Sequence, residues 1–235
     1  MKKIIYLLVT VLVFMIFNKT VAKEKFVEKY NYALSGINLR EDKMLNSNIL
    51  LNIPYGEKVI VLYETSDYFE VDNIIGNWVK VRNKDVEGYA FGGYLSVLPA
   101  PNRKHFSVGE IYSLKEYNSV YFSNKGKLIS KKENDYLYKT YFTVGNVSIL
   151  ECFLLFRLIE IYPQLGLVNL PQKKISYRNE KKAIEVTIDV FKNSENIIER
   201  IDIILLYYNS SGRIIYHFEK INQKDVLVTI INELP

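Results

Sequence analysis

Short apolar runs separated by turn residues fill the second quarter of the chain. Residues 37–40 alternate apolar with polar side chains, which predicts a strand with one buried face. Residues 49–53 resume the pattern, and the continuous apolar run at 59–62 predicts a strand covered on both faces. Two more runs, at 78–81 and 88–91, follow each other at hairpin distance. Five short strands in so few residues predict a small β-barrel.

The second half of the chain has a different pattern. Residues 99–105 contain two prolines and predict a linker, because proline cannot donate to a β-ladder and restricts the residue before it. Residues 147–162 are apolar nearly all round and stop at Pro163, which predicts a buried helix. Residues 184–190 alternate strictly, as in a sheet with one solvent-facing side. We therefore expect an α+β domain over residues 106–235, with one buried helix covering an antiparallel sheet.

Weaker patterns complete this second sheet. Glycine after polar residues predicts hairpin turns at 123–126 and 209–212. The remaining predicted strands are 119–122, 127–130, 136–144, 201–208, 213–219 and 225–231, and the last of them also fits a short helix.

The N-terminus has the three parts of a secretory signal peptide. Lys2 and Lys3 precede an apolar run at 4–17, and small residues lead to a cleavage position after Ala22. The run is shorter than the roughly twenty residues that span a bilayer. We therefore expect residues 1–22 to be cleaved, with no stable membrane span afterwards, although the sequence leaves retention as an anchor open. No cysteine lies just after the apolar run, so we expect no lipid anchor.

Charge and composition exclude several function classes. The formal net charge is +5, but three of the lysines lie in the predicted signal peptide, so the mature chain is only weakly basic. Lysines and glutamates are interspersed, without the basic and aromatic cluster of a nucleic-acid site. His105 and His217 stand apart, which argues against a metal site, and no phosphate loop or serine-hydrolase elbow occurs. We expect no cofactor and no nucleic-acid partner.

The order of key residues in the first region resembles a known family. Asn38 lies in the run INLR, Gly56 follows the second strand, and Trp78 lies in the run NWVKV. The pairs Gly88-Tyr89 and Tyr94-Leu95 follow. This order resembles the bacterial SH3 domain (SH3b, SH3 type 3). The resemblance implies an SH3-like β-barrel over residues 30–98, and hence a mostly β protein with the α+β domain behind it.

The resemblance also implies a binding function. SH3-like barrels bind extended peptides in grooves lined by aromatic rings. By resemblance, the ligand-binding candidates are Tyr32, Asn38, Tyr68 and Tyr94, whereas Trp78 and Tyr89 are expected to pack the barrel. The implied function is an exported, non-catalytic binding protein of the bacterial envelope, periplasmic or extracellular. Its implied partner is a cell-wall peptide, such as a peptidoglycan stem, or an envelope protein. One departure is the long aromatic stretch 64–77 before the tryptophan strand.

An enzymatic alternative remains open at this point. Modules of this family often accompany peptidoglycan hydrolases, and Cys152 with His217 would be the pair for a Cys–His hydrolase in the C-terminal domain. However, Cys152 is the single cysteine and lies within the apolar segment, which favours a small buried side chain over a reactive thiol. His217 lies in an alternating strand, where a solvent-face or cross-strand role is expected.

Overall fold

A computed structural model describes residues 26–102, 126–132, 136–161, 165–166, 168–210 and 212–233. These residues form two seven-stranded antiparallel sheets and one α-helix, so the expected mostly β fold is confirmed. The predicted signal peptide, the strand at 119–122 and most of the turn at 123–126 lie outside the described residues. Among the residues described, no helix is long and apolar enough to cross a membrane.

The first sheet is a half-barrel with the strand order β3-β2-β6-β5-β4-β1-β7. A 3₁₀ turn, Gly92–Tyr94, connects β6 to β7. The strands are β1 Val27–Asn31, β2 Ile37–Arg40, β3 Ile49–Ile53, β4 Lys58–Val71, β5 Ile74–Asn83, β6 Val86–Phe91 and β7 Leu95–Ser96.

The longest strands of this sheet come from the stretch expected to be a long connection. Residues 64–77 extend β4 and β5 into one hairpin. Asp72 and Asn73 form its turn with φ values of 53° and 62°, the left-handed conformation that a two-residue hairpin turn requires. Only alternate residues of the apolar run at 59–62 are buried, so the predicted cover on both faces is wrong.

The second sheet has the order β10-β11-β12-β13-β14-β9-β8. Its five C-terminal strands form a meander, and the predicted alternation at 184–190 is confirmed by burial of every second residue along β11, with Thr187 as an additional buried residue. The uncertain segment at 225–231 is a strand. The strands are β8 Gly126–Lys132, β9 Leu137–Gly145, β10 Lys174–Asn179, β11 Ile184–Lys192, β12 Ile198–Tyr207, β13 Arg213–Lys220 and β14 Asp225–Glu233.

The predicted buried helix is also confirmed. Helix α1 is Ile149–Phe156, and the chain continues in a π-helical turn, Arg157–Ile161. One side of α1 packs on β12 and β13, where the Phe156 ring centroid lies 5.0 Å from that of Phe218. Another side contacts the 3₁₀ turn of the first sheet. The helix is apolar nearly all round because protein covers it on more than one side.

Among the described residues, polar contacts also join the two halves of the chain. Glu151 closes a capping box with Ser148 at the start of α1, and its Oε1 accepts the backbone N–H of Val97 at 2.8 Å. At the hairpin tip, Gln172 Nε2 donates to the Glu70 carboxylate at 3.1 Å. The buried apolar residues of both sheets form one continuous cluster. The two sheets therefore pack as neighbours around α1.

Candidate ligand-binding site

A cavity of about 330 Å³ lies on the first sheet, beside the segment that leads into β2. Four aromatic rings form much of its wall, and the remaining apolar lining comes from residues near β2 and β4. The aromatic residues are Phe69, Trp78, Phe91 and Tyr94. Its polar lining comes from Ser35, Asn38, Arg40, Asp72 and Arg157.

The four rings form a continuous row. Phe69 stacks on Trp78 with 4.6 Å between ring centroids and an interplanar angle of 28°. Phe69 also lies 4.7 Å from Phe91, which meets Tyr94 edge to face at 5.7 Å. Aromatic pairs at such distances contribute beyond their buried area, and each ring fixes the next. The row gives the cavity a rigid, flat apolar wall.

Two glycines allow the backbone to bring this row together. A Cβ on Gly76 of β5 would lie only 2.5 Å from the backbone nitrogen of Gly93. A Cβ on Gly93 would lie 2.5 Å from the ring of Phe91. The 3₁₀ turn therefore rests directly on β5, and this close approach places Tyr94 at the end of the aromatic row.

Tyr94 is held as a hydrogen-bond donor. Its hydroxyl donates to Asp72 Oδ2 at 2.7 Å. Burial, reinforced by the hydrogen bond to this carboxylate, raises the pKa of Tyr94 to about 12. The hydroxyl therefore stays protonated at neutral pH, and Asp72 of the hairpin turn is fixed at the rim of the cavity.

Arg157 reaches the same cavity from the second half of the chain. Only 1% of this residue is exposed, and its Nη1 donates to the carbonyl oxygen of Val168 at 3.3 Å. The guanidinium carbon lies 5.7 Å from the ring centroid of Tyr94. Burial lowers the pKa of Arg157, and Tyr94 and Asp72 oppose that shift. Because an arginine starts from a very high pKa, the group remains charged.

The structure brings together two of the four predicted binding residues. Asn38 and Tyr94 both line the cavity. Tyr68 is 68% exposed and lies outside it, beside a groove that the second sheet also lines. Tyr32 is fully buried, and its hydroxyl donates to the carbonyl of Pro99 at 2.9 Å, which gives it a packing role.

Two aromatic residues differ from their expected roles. Trp78 packs in the sheet as predicted, but it also forms part of the cavity wall. Tyr89 was expected to pack the barrel, yet it lies half-exposed with its hydroxyl 2.7 Å from that of Tyr63. Strand alternation turns Tyr89 to the outer face, since its neighbours Gly88 and Ala90 are buried.

Most residues that line this cavity lie in a region that matches a known domain. Residues 35–96 match the bacterial SH3 domain. The matched region covers about a quarter of the chain and includes every aromatic residue of the cavity wall. Arg157 lies outside the SH3 domain, so this residue of the cavity comes from the part of the chain that follows the domain. No curated protein and no solved structure matches the chain.

The second half does not assemble the Cys–His pair considered from the sequence. Cys152 is completely buried in α1, and burial raises the pKa of its thiol. Tyr216 and Phe218 of β13 face the helix through Phe156, so His217 between them points to the opposite face of the sheet. His217 Nδ1 lies 2.8 Å from Asp202 Oδ1 of the neighbouring strand, a partner that the sequence did not reveal.

Metal ligands are not clustered either. Within the described ranges, no group of three or more histidine, cysteine, aspartate or glutamate residues is placed to hold a metal ion.

We expect Cys152 to be unreactive in the native protein. A buried thiol with a raised pKa forms little thiolate, so Ellman's reagent at pH 8 should modify it at least about 100-fold more slowly than the unfolded chain in urea. Because Cys152 is the single cysteine, the absorbance change reports this residue alone. A Ser66→Cys variant, at an exposed position, should gain one fast-reacting thiol. Rapid modification of the native wild-type protein would contradict the buried placement.

Proposed function

We propose that this protein is an exported, non-catalytic binding protein of the bacterial envelope, whose SH3 domain binds a peptide-like ligand in the aromatic cavity. The observation that carries this proposal is the row of four rings that line the cavity, all of which lie inside the region that matches the SH3 domain. Rigid rings bury much ligand area at a low entropy cost, and SH3 domains recognise extended peptides in this way.

The size and lining of the cavity suit a short peptide segment. Ligand pockets commonly measure roughly 300–1,000 Å³, and the cavity lies at the small end of that range. It has room for one or two residues of a chain rather than for a large cofactor. Asn38 and Ser35 lie on its polar side, where an amide and a hydroxyl are suited to pairing with peptide groups.

The N-terminal sequence supports the envelope location. The basic start and apolar run of residues 1–22 are typical of a signal peptide. Mass spectrometry of the protein from its native host tests this part separately, because cleavage after Ala22 leaves Lys23 as the first residue. A protein that keeps Met1 and stays in the membrane fraction would instead use the segment as an anchor.

The structure does not bring together the residue pair on which the enzymatic alternative was based. That alternative rested on Cys152 and His217, which lie on opposite sides of the second sheet's plane. A peptide-binding module therefore accounts for more of the structure than a Cys–His hydrolase does. A zymogram on cell walls tests the alternative independently, and a cleared band would favour an enzyme.

We expect the purified protein to co-sediment with purified peptidoglycan through this cavity. Phe69→Ala removes a ring that stacks on Trp78 and should weaken retention about tenfold or more, as truncation of a central aromatic anchor does. Tyr68→Ala, its neighbour outside the cavity, is the matched control and should bind like wild type. Circular dichroism checks that both variants fold. If Phe69→Ala does not fold, Asn38→Ala provides a smaller change to the cavity lining.

Comparison of Phe69→Ala with Tyr68→Ala shows which of two surfaces holds the ligand. If Tyr68→Ala lost binding while Phe69→Ala kept it, the ligand would occupy the outer groove and not the cavity. If the wild-type protein were not retained at all, the cell-wall form of the proposal would fail. An envelope protein would then remain as the partner to be identified by crosslinking in cells.

A further inference from the structure

We infer that the cavity selects peptides that carry a free carboxylate, and that Arg157 is the residue that binds this group. The inference rests on the proposed function, since it names the ligand chemistry of the same cavity. It makes the site composite: the SH3 domain supplies the aromatic wall, and the second half of the chain supplies the charge.

Arg157 is an unusual residue for its position. It follows α1 directly and is the largest fully buried side chain of the described structure. The helix before it is apolar, and the guanidinium extends from it to the cavity beside Tyr94. A buried charge at the wall of a cavity is costly unless it is paired, so its retention there needs an explanation.

The guanidinium is only partly satisfied. Its Nη1 has a long hydrogen bond of 3.3 Å to Val168 and the Tyr94 hydroxyl also interacts with the group, but its Nε has no hydrogen-bond partner within the described structure. Among the described residues no carboxylate oxygen lies within ion-pair distance of it, and Asp72, which raises the pKa of the guanidinium, acts from farther away. Arginine carries five N–H donors in a planar fork, and a carboxylate can accept two of them at once. A ligand carboxylate would thus supply the ion-pair partner that the described residues do not.

The other charges of the cavity favour an anion as well. Asp72 is the acidic residue of the lining, and its Oδ2 is already engaged by the Tyr94 hydroxyl. Arg40 adds a second positive charge, with its Nη1 held by the carbonyl of Ser47 at 2.8 Å. Two guanidinium groups and one carboxylate leave the lining net positive. Electrostatic complementarity therefore points to an acidic ligand group.

The aromatic wall defines the rest of the ligand. Phe69, Trp78 and Phe91 offer apolar faces to small or apolar side chains next to the carboxylate. The expected ligand is a short peptide with either a terminal carboxylate or a carboxylate within its chain. Both share the same chemistry, and a stem-type peptide carries one of each.

The test uses Trp78, the single tryptophan, as a fluorescent reporter in the cavity wall. The probe is the pentapeptide Ala-γ-D-Glu-Lys-D-Ala-D-Ala in four forms: the free acid, the form amidated at the C-terminus, the form amidated at D-Glu, and the doubly amidated form. We expect the wild-type protein to bind the free acid at least about tenfold more tightly than the doubly amidated peptide, as expected for a charge-assisted hydrogen bond in a buried site. The two singly amidated forms show which carboxylate is recognised.

Arg157→Met should bind all four forms with equal, weak affinity. Arg178→Met is the matched control, because Arg178 lies 4.6 Å over the Tyr208 ring, away from the cavity, and its loss should leave the preference intact. Arg157→Lys retains the charge without the fork and should keep the preference at reduced affinity. If Arg157→Met does not fold, Arg157→Lys provides the test, and an affinity for the free acid equal to that of the wild type would overturn the role of the guanidinium fork.

The failures are distinguishable. Equal binding of the acid and doubly amidated peptides to the wild-type protein, or a preference that survives in Arg157→Met, overturns the role of Arg157 and leaves peptide binding in place. Absence of any Trp78 response to all four peptides, together with no retention on peptidoglycan, overturns the cell-wall form of the proposed function and this inference with it.

Discussion

The burial of Arg157 between the two halves of the chain is the constraint on which the rest of the structure depends. Its guanidinium can leave water only where Tyr94, Asp72 and the carbonyl of Val168 surround it. Tyr94 and Asp72 belong to the first sheet, and Val168 follows the helix. Separating the halves would therefore uncover the charge and also the apolar faces of α1 and the 3₁₀ turn. The contacts of Arg157 and α1 with the first sheet therefore fix the position of one sheet relative to the other.

The contact with Arg157 also changes the composition of the cavity on the SH3 domain. The family match explains the half-barrel and the aromatic residues, but its boundaries end well before Arg157. An isolated SH3 domain would have a cavity with an aromatic wall and Arg40 and Asp72 at its edges. In this chain the second half adds the buried cation. Under the proposed function, the domain would supply the aromatic contacts to a peptide, and the second half of the chain would supply the charge that selects it.

Local patterns predicted those parts of the fold that local physics decides. The strict alternation at 184–190 marked β11, and the apolar segment 147–162 marked the helix, because in both cases the side-chain period itself reports which face is buried. The run at 59–62 misled because Ile60 and Leu62 are apolar although they lie on the less covered face. An exposed apolar residue is common and carries little information by itself.

The site was harder to predict than the fold. Tyr32 and Tyr94 are both tyrosines near strand ends, yet one fills the core and the other lines the cavity, and only the tertiary packing separates them. Phe69 lies in the stretch 64–77, which was expected to be a long connection but instead extends the hairpin of β4 and β5. Arg157 gave a weak signal, a charge within an apolar segment. Tyr94 and Asp72 lie far from it in sequence, so no local pattern could show these partners.

Coincident unfolding of the two halves is the most direct test of this account. Trp78 reports on the first sheet and Cys152 on α1 of the second half of the chain, and each is the single residue of its type in the chain. A urea titration followed by Trp78 fluorescence and by Cys152 accessibility should give one transition with the same midpoint for both probes, because the halves share one core and a buried charge. Two separate transitions would show that the halves fold independently and would contradict a cavity built by both.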